Sequence, residues 1–193
     1  MVDTLRLGGI KLSGELVQID FYDSEISAEK FIGLLSKITE AEITIPHLHQ
    51  RRSGNFLQST LCLAKEDFLQ LQNDVDSLLQ KGSYTVLKAV GSITLFPHRF
   101  EFGLFSRVLH ALANDSIPLY GISTSISALV IQTDYTLLEK GVQAILQVCQ
   151  LPENHTPLRP VVLLGDQAVE TVAVYWEPRI RIYGLDIQHE LSR

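Results

Sequence analysis

A chain of 193 residues that is 46% hydrophobic and 20% charged can bury a substantial core, which excludes disorder as its dominant state. The net charge is −6 and Arg51-Arg52 is the only adjacent basic pair, so nucleic acid and anionic membrane are excluded as expected partners. No run approaches the roughly 20 apolar residues of a membrane span, and Met1 to Arg6 lacks a secretory pattern, so the cytoplasm is the expected location.

In chain order, Leu5 to Leu12 reads as a strand, followed by a second at Ile19-Asp20-Phe21-Tyr22. A helix is expected from Ser27, whose hydroxyl can cap the first turn, with Ile26 and Phe31 placed as a hydrophobic staple. Its apolar stripe is Phe31, Leu34, Leu35 and Ile38. Ile43 to His49 reads as a strand, Arg51-Arg52-Ser53-Gly54-Asn55 as a turn, and Phe56 to Leu63 as the returning strand. Leu71, Val75, Leu78 and Leu79 mark a second helix, and Tyr84 to Ala89 a closing strand.

The same order then repeats. Ile93-Thr94-Leu95-Phe96 is followed by a helical stripe of Phe105, Val108, Leu109 and Leu112, which has Gly103 rather than a capping hydroxyl near its start. The offset from the first copy is 74 at residues 93, 105, 108, 109 and 112, and it persists to Ile117, Leu119 and Ile122. Such a gap-free register points to duplication. Strands are expected at Leu119 to Ser123 and Ala128 to Gln132, then a helix with Leu138, Val142, Ile145 and Leu146.

Each copy therefore reads β-α-β-β-α, with a final β clear only in the first. The fold class is α+β: two ferredoxin-like (βαββαβ) units with antiparallel sheets. The expected domains are 1–88 with the N-terminal strand, 89–150, and 151–193. The last begins with a linker rich in proline and carries strand-like runs at 161–164, 169–176 and 180–187. These strands either complete the second sheet and pair with the N-terminal strand or begin a third unit. The first is favoured, because an unfinished unit leaves an apolar edge exposed.

The second copy resembles the ACT domains, most closely the tandem pair in the regulatory region of aspartate kinases. The resemblance rests on Ala89-Val90-Gly91-Ser92-Ile93, Phe102 to Leu109, Leu112-Ala113-Asn114-Asp115-Ser116-Ile117 and Ile122-Ser123-Thr124-Ser125-Ile126-Ser127. Residues 15–88 join it through the internal repeat. Three features depart from the pattern. The family's Glu after the Thr-Ser pair is absent, its Asn after the Ile is Pro118, and the Lys-Phe-Gly-Gly-Thr-Ser segment of the kinase part is missing. The resemblance implies a non-catalytic regulatory module that binds a small amino-acid effector at an inter-unit or dimer interface and forms a homodimer. An interaction module that keeps the fold without the ligand is the alternative, favoured by Pro118 and Ile126. Charge depletion supports pairing: residues 91–150 hold seven charged residues in sixty, about 12%.

The candidate ligand-binding residues are His98, Arg99, Phe100, Glu101, Phe102 and Gly103 at the helix start, with Ile122, Ser123, Thr124 and Ser125 on the strand and turn. Helix amides and Arg99 can hold a carboxylate. The hydroxyls can bind polar ligand atoms or saturate their own turn. In the first copy the corresponding loop, Asp23 to Ser27, is acidic and suits an ammonium group. His47 and His49 share a strand face, but no third ligand recurs at close spacing, so no metal is expected. Cys62 and Cys149 read as buried small hydrophobes. No nucleophile elbow, phosphate loop or dinucleotide glycine pattern is present, and neither an enzyme nor a cofactor is expected.

Overall fold

The computed structural model describes residues 5–23, 28–53, 56–79, 84–96, 103–125, 127–151, 159–161 and 170–173. In chain order the elements are β1 (Leu5–Arg6), β2 (Gly9–Leu12), β3 (Leu16–Asp23), α1 (Ala28–Glu40), β4 (His47–Ser53), β5 (Phe56–Ala64), α2 (Lys65–Leu78) and β6 (Tyr84–Phe96). They continue with α3 (Leu104–Asn114), β7 (Gly121–Thr124), β8 (Leu129–Asp134), a 3-10 turn at Tyr135–Leu137, α4 (Leu138–Leu146), β9 (Cys149–Gln150), β10 (Arg159–Val161) and β11 (Glu170–Ala173). Two compact units result: Glu15–Val90, and the chain before it together with the chain from Gly91 onward.

The first unit, Glu15–Val90, holds the whole βαββαβ order in one stretch. Its strands lie in the order β4-β5-β3-β6, and every pairing is antiparallel. Alternation on β3 sends Val17, Ile19 and Phe21 into a core with Leu34 and Ile38 of α1, Leu61 and Leu63 of β5, and Leu71 and Val75 of α2. Phe31 stacks edge-on against Phe21, with ring centroids 6.2 Å apart. The proposed cap Ser27 and staple residue Ile26 lie outside the described residues.

Two boundaries differ from the sequence reading. The strand expected over Ile43 to His49 begins at His47. Pro46 has no N–H for the ladder, and the Ile43 amide is already bound to Ile38 O at 3.0 Å in the helix exit. Arg51 and Arg52, expected in the turn, are paired with Gln58 and Leu57, and the ladder runs on to Ser53 opposite Phe56.

The second unit takes its first strand from β6, then α3, β7, β8 and α4. Beside β6, the place of a fourth strand is filled by β2, antiparallel, with Gly9 opposite Phe96 and Leu12 opposite Ile93. The N-terminal strand, expected in the first unit, therefore belongs to the second, and the first unit is an insertion between them in sequence. The cause is apolar: Ile10 and Leu12 join Ile93, Leu95, Val108, Leu112, Ile131 and Ile145 in one core. β11 pairs antiparallel with β2, and β10 with β11. The remaining C-terminal run at 180–187 lies outside the described residues.

The α3 stripe is rotated from the expected one. Leu104, Val108, Ala111 and Leu112 are buried, whereas Phe105 is 38% exposed. α4 buries Leu138, Val142 and Ile145 as the spacing requires.

The duplication reaches the backbone. Glu42 and Ser116, 74 residues apart, both take φ of 56°. The amides that follow close the same loop, Ile43 N–H to Ile38 O at 3.0 Å and Ile117 N–H to Leu112 O at 2.9 Å. This six-to-one bond is the Schellman ending of a helix, which needs a left-handed residue just past the last turn. Both copies use a non-glycine residue there.

Candidate functional site

The crossover from β6 through α3 to β7 brings the start of α3 and the end of β7 to the same end of the second unit, because strands joined by such a crossover run parallel. Gly103 is the N-cap of α3, exposed, with φ of 84°. A Cβ there would meet nothing within 4 Å among the described residues, and the left-handed backbone favours glycine. Among the described residues no side chain caps this helix, and its first turn holds no acidic residue. The positive end of the helix dipole is therefore uncompensated by the helix's own residues. His98, Arg99, Phe100, Glu101 and Phe102 lie outside the described residues.

On β7, Ile122 is 48% exposed, Ser123 is half-buried and Thr124 is exposed. Ile122 sits opposite Ile131 on the helix side, and Ser123 opposite Val130 on the other face. Two of the three hydroxyls work locally. Thr124 Oγ1 donates to Ser125 O at 3.2 Å, and Ser125 Oγ accepts the Ala128 amide at 3.2 Å. Ser125 N–H also donates to Ala128 O at 2.8 Å, which closes the turn. Pro118 has a structural use as well: its carbonyl accepts from Thr133 Oγ1, a fully buried side chain, at 2.6 Å.

β7 pairs with β8 alone among the described residues. Leu119 and Ile122, exposed by 46% and 48%, flank this edge. β4 is the corresponding edge of the first unit and carries Leu48 at 44%.

His47 and His49 lie opposite Cys62 and Thr60. Burial, and then the neighbouring His49, lower the His47 pKa from the ordinary 6.5. The unfolded chain therefore binds a proton that the folded chain resists. Stability is expected to be full above about pH 6.5 and to fall as pH drops from there to the lowered folded value. Denaturant titrations from pH 8 to pH 5 check this, with His47→Gln flattening the curve and His49→Gln flattening it less. Among the described residues no group of three or more His, Cys, Asp or Glu side chains can hold a metal ion, and Cys62 and Cys149 are buried thiols.

The sequence reading missed a polar row on β3. Gln18 is buried, and its Nε2 donates to Asp20 Oδ2 at 2.8 Å, while Thr60 Oγ1 donates to Asp20 Oδ1 at 2.6 Å. The signal was present in Val17-Gln18-Ile19-Asp20-Phe21, where polar residues alternate with core residues.

No family model and no curated protein matches the chain. Solved structures do. The regulatory subunit of aspartate kinase from Thermus thermophilus, in ligand-free form, superposes with a TM-score of 0.64 at 13% identity, over 75% of this chain and 99% of that one. Aspartate kinase from Clostridium acetobutylicum gives 0.62 at 13% identity, over 75% of this chain and 35% of the other. E. coli aspartokinase III in complex with lysine and aspartate gives 0.53 at 12% identity, over 78% and 35%. The likeness is one of fold, and it agrees with the ferredoxin-like architecture that the ACT resemblance implied. No helix among the described residues is long and apolar enough to cross a membrane.

Proposed function

We propose that this chain is a non-catalytic regulatory module that binds a small amino-acid effector at the Gly103 end of the second unit and pairs with a second copy of itself. One observation carries the reading: α3 begins on a left-handed, exposed Gly103 with no side-chain cap among the described residues, at the end of the unit where β7 also finishes. Amide groups at such a start suit a carboxylate, and Arg99, four residues earlier in the sequence, is the proposed second donor. The effector's polar atoms would meet Ser123, the one hydroxyl of the three with no partner among the described residues. Pairing is supported by Leu119 and Ile122 beside an edge strand in the charge-poor half of the chain. The buried thiols Cys62 and Cys149 suit the reducing cytoplasm.

A ligand-free interaction module is the second reading. It is favoured by Thr124 and Ser125, whose hydroxyls are used within their own turn.

A thermal-shift screen against the twenty amino acids separates the two. A ligand at 100 times its dissociation constant should add about 2.7 kcal/mol to stability. Arg99→Ala should weaken that binding and leave the unliganded melting temperature unchanged. No shift with any amino acid at millimolar concentration supports the second reading. A monomer in sedimentation at micromolar concentration removes the pairing from both.

A further inference from the structure

The first unit carries a polar group that its own packing does not explain. On β3, Val17, Ile19 and Phe21 face the helices, so Gln18 and Asp20 face the other side of the sheet. Gln18 lies opposite Cys62, and Asp20 lies between Thr60 on β5 and Thr85 on β6. The Asp20 carboxylate only accepts, so the Gln18 amide must turn its NH₂ toward it. That orientation leaves Gln18 Oε1 buried with no hydrogen-bond partner among the described residues, in a side chain only 3% exposed. Its surroundings offer little: Leu16 and Val90 are buried in the next row. An orphaned buried carbonyl opposes folding. A protein that gains nothing from it would be more stable with an apolar residue there.

The group that fits is a donor, and the carboxylate beside it favours a positively charged one. A primary ammonium has three N–H groups, enough to serve Gln18 Oε1 and a remaining lone pair of Asp20. Asp20 and Thr60 are half-buried and His49 and Thr85 exposed, so the Asp20 row opens to solvent and Gln18 lies behind it. His47 adds no competing charge at neutral pH, because burial keeps its imidazole neutral. The geometry points to a binding site for the primary ammonium group of a small amine on the helix-free face of the first unit, with Gln18 Oε1 and Asp20 as its acceptors. This site uses residues of the first unit alone, so its failure and that of the amino-acid site proposed for the second unit are distinguishable.

The test is a nuclear magnetic resonance titration of the whole chain with methylammonium chloride. Tetramethylammonium chloride, of equal charge but without an N–H donor, is the control. Methylammonium should move the Gln18 side-chain amide signal saturably, and tetramethylammonium should not. Asp20→Asn should weaken binding roughly tenfold through loss of a charged acceptor. Gln18→Met should abolish the saturable shift, read at the Asp20 and Thr60 backbone amides, and raise the melting temperature. Equal responses to both ions, no saturation with methylammonium, or a lower melting temperature for Gln18→Met would each overturn the assignment. The last would make the carboxamide a structural group.

Discussion

Removal of residues 1–14 is expected to unfold the second unit and leave Glu15–Val90 folded. The segment supplies Leu5, Leu7, Ile10 and Leu12, between 0% and 5% exposed, to the second core. At about 1.5–3 kcal/mol for each fully buried aliphatic side chain, their loss amounts to roughly 6–12 kcal/mol. That is comparable with the whole stability of a domain, about 5–15 kcal/mol. The segment also supplies hydrogen bonds. β2 pairs along Ile93 to Phe96, Ser13 N–H donates to Ser92 O at 3.0 Å, and Ser92 N–H donates to Ser13 Oγ at 2.8 Å. Without β2, one edge of β6 is bare and β11 loses one of its two strand partners. The first unit has its own core and none of these residues. Residue-resolved hydrogen exchange should show protection lost at Val108 and Ile131 and retained at Ile19 and Leu61. Protection kept in both units, or lost in both together, would refute this division of the chain. Ile10→Ala, at about 2–5 kcal/mol, should reproduce the pattern in milder form.

That dependence on a distant segment explains what the sequence revealed and what it hid. The 74-residue offset was legible because helix stripes and the alternation on β3 are local patterns, each complete within a dozen residues. The offset extends to the left-handed residues Glu42 and Ser116, which no apolar pattern marks. Ownership of the N-terminal strand was not legible, since β2 pairs with residues more than eighty positions away and carries no mark of its partner. The start of β4 could have been read from Pro46. The candidate site was legible in one part only. Gly103 announced a helix start, whereas the use of the Thr124 and Ser125 hydroxyls depends on Ala128 and on the closing of the turn. Gln18 escaped notice because a glutamine within a strand usually faces solvent, and its burial is a tertiary fact.

Gly91→Ala is expected to destabilise the second unit by about 1–3 kcal/mol, by overpacking. The propensity of the strand alone predicts the opposite sign, since alanine in place of a strand glycine ordinarily gains about 0.5–1 kcal/mol. The neighbour decides. A Cβ on Gly91 would lie 2.7 Å from both Cδ1 and Cγ of Leu138 and 2.8 Å from its Cδ2. Leu138 opens α4 and is 5% exposed, so its whole isobutyl group must move, not just its tip. Gly141 offers a contrast in the same layer. Its Cβ would meet only the terminal Ile93 Cδ1 at 2.7 Å, with Leu112 at 3.7 Å. There the gain of about 1 kcal/mol from alanine in a helix offsets a small displacement, and Gly141→Ala should be much milder. A double-mutant cycle isolates the contact. Leu138→Ala alone should cost about 2–5 kcal/mol through the cavity it leaves. In the double variant Gly91→Ala with Leu138→Ala the clash disappears, so the total should fall short of the sum by about 0.5–3 kcal/mol. Chemical denaturation of the four proteins measures this, and strict additivity would show that Gly91 is kept for another reason. The Val90-Gly91 pair of the ACT resemblance then has a mechanical meaning: the bare glycine lets the first residue of α4 lie directly on the strand.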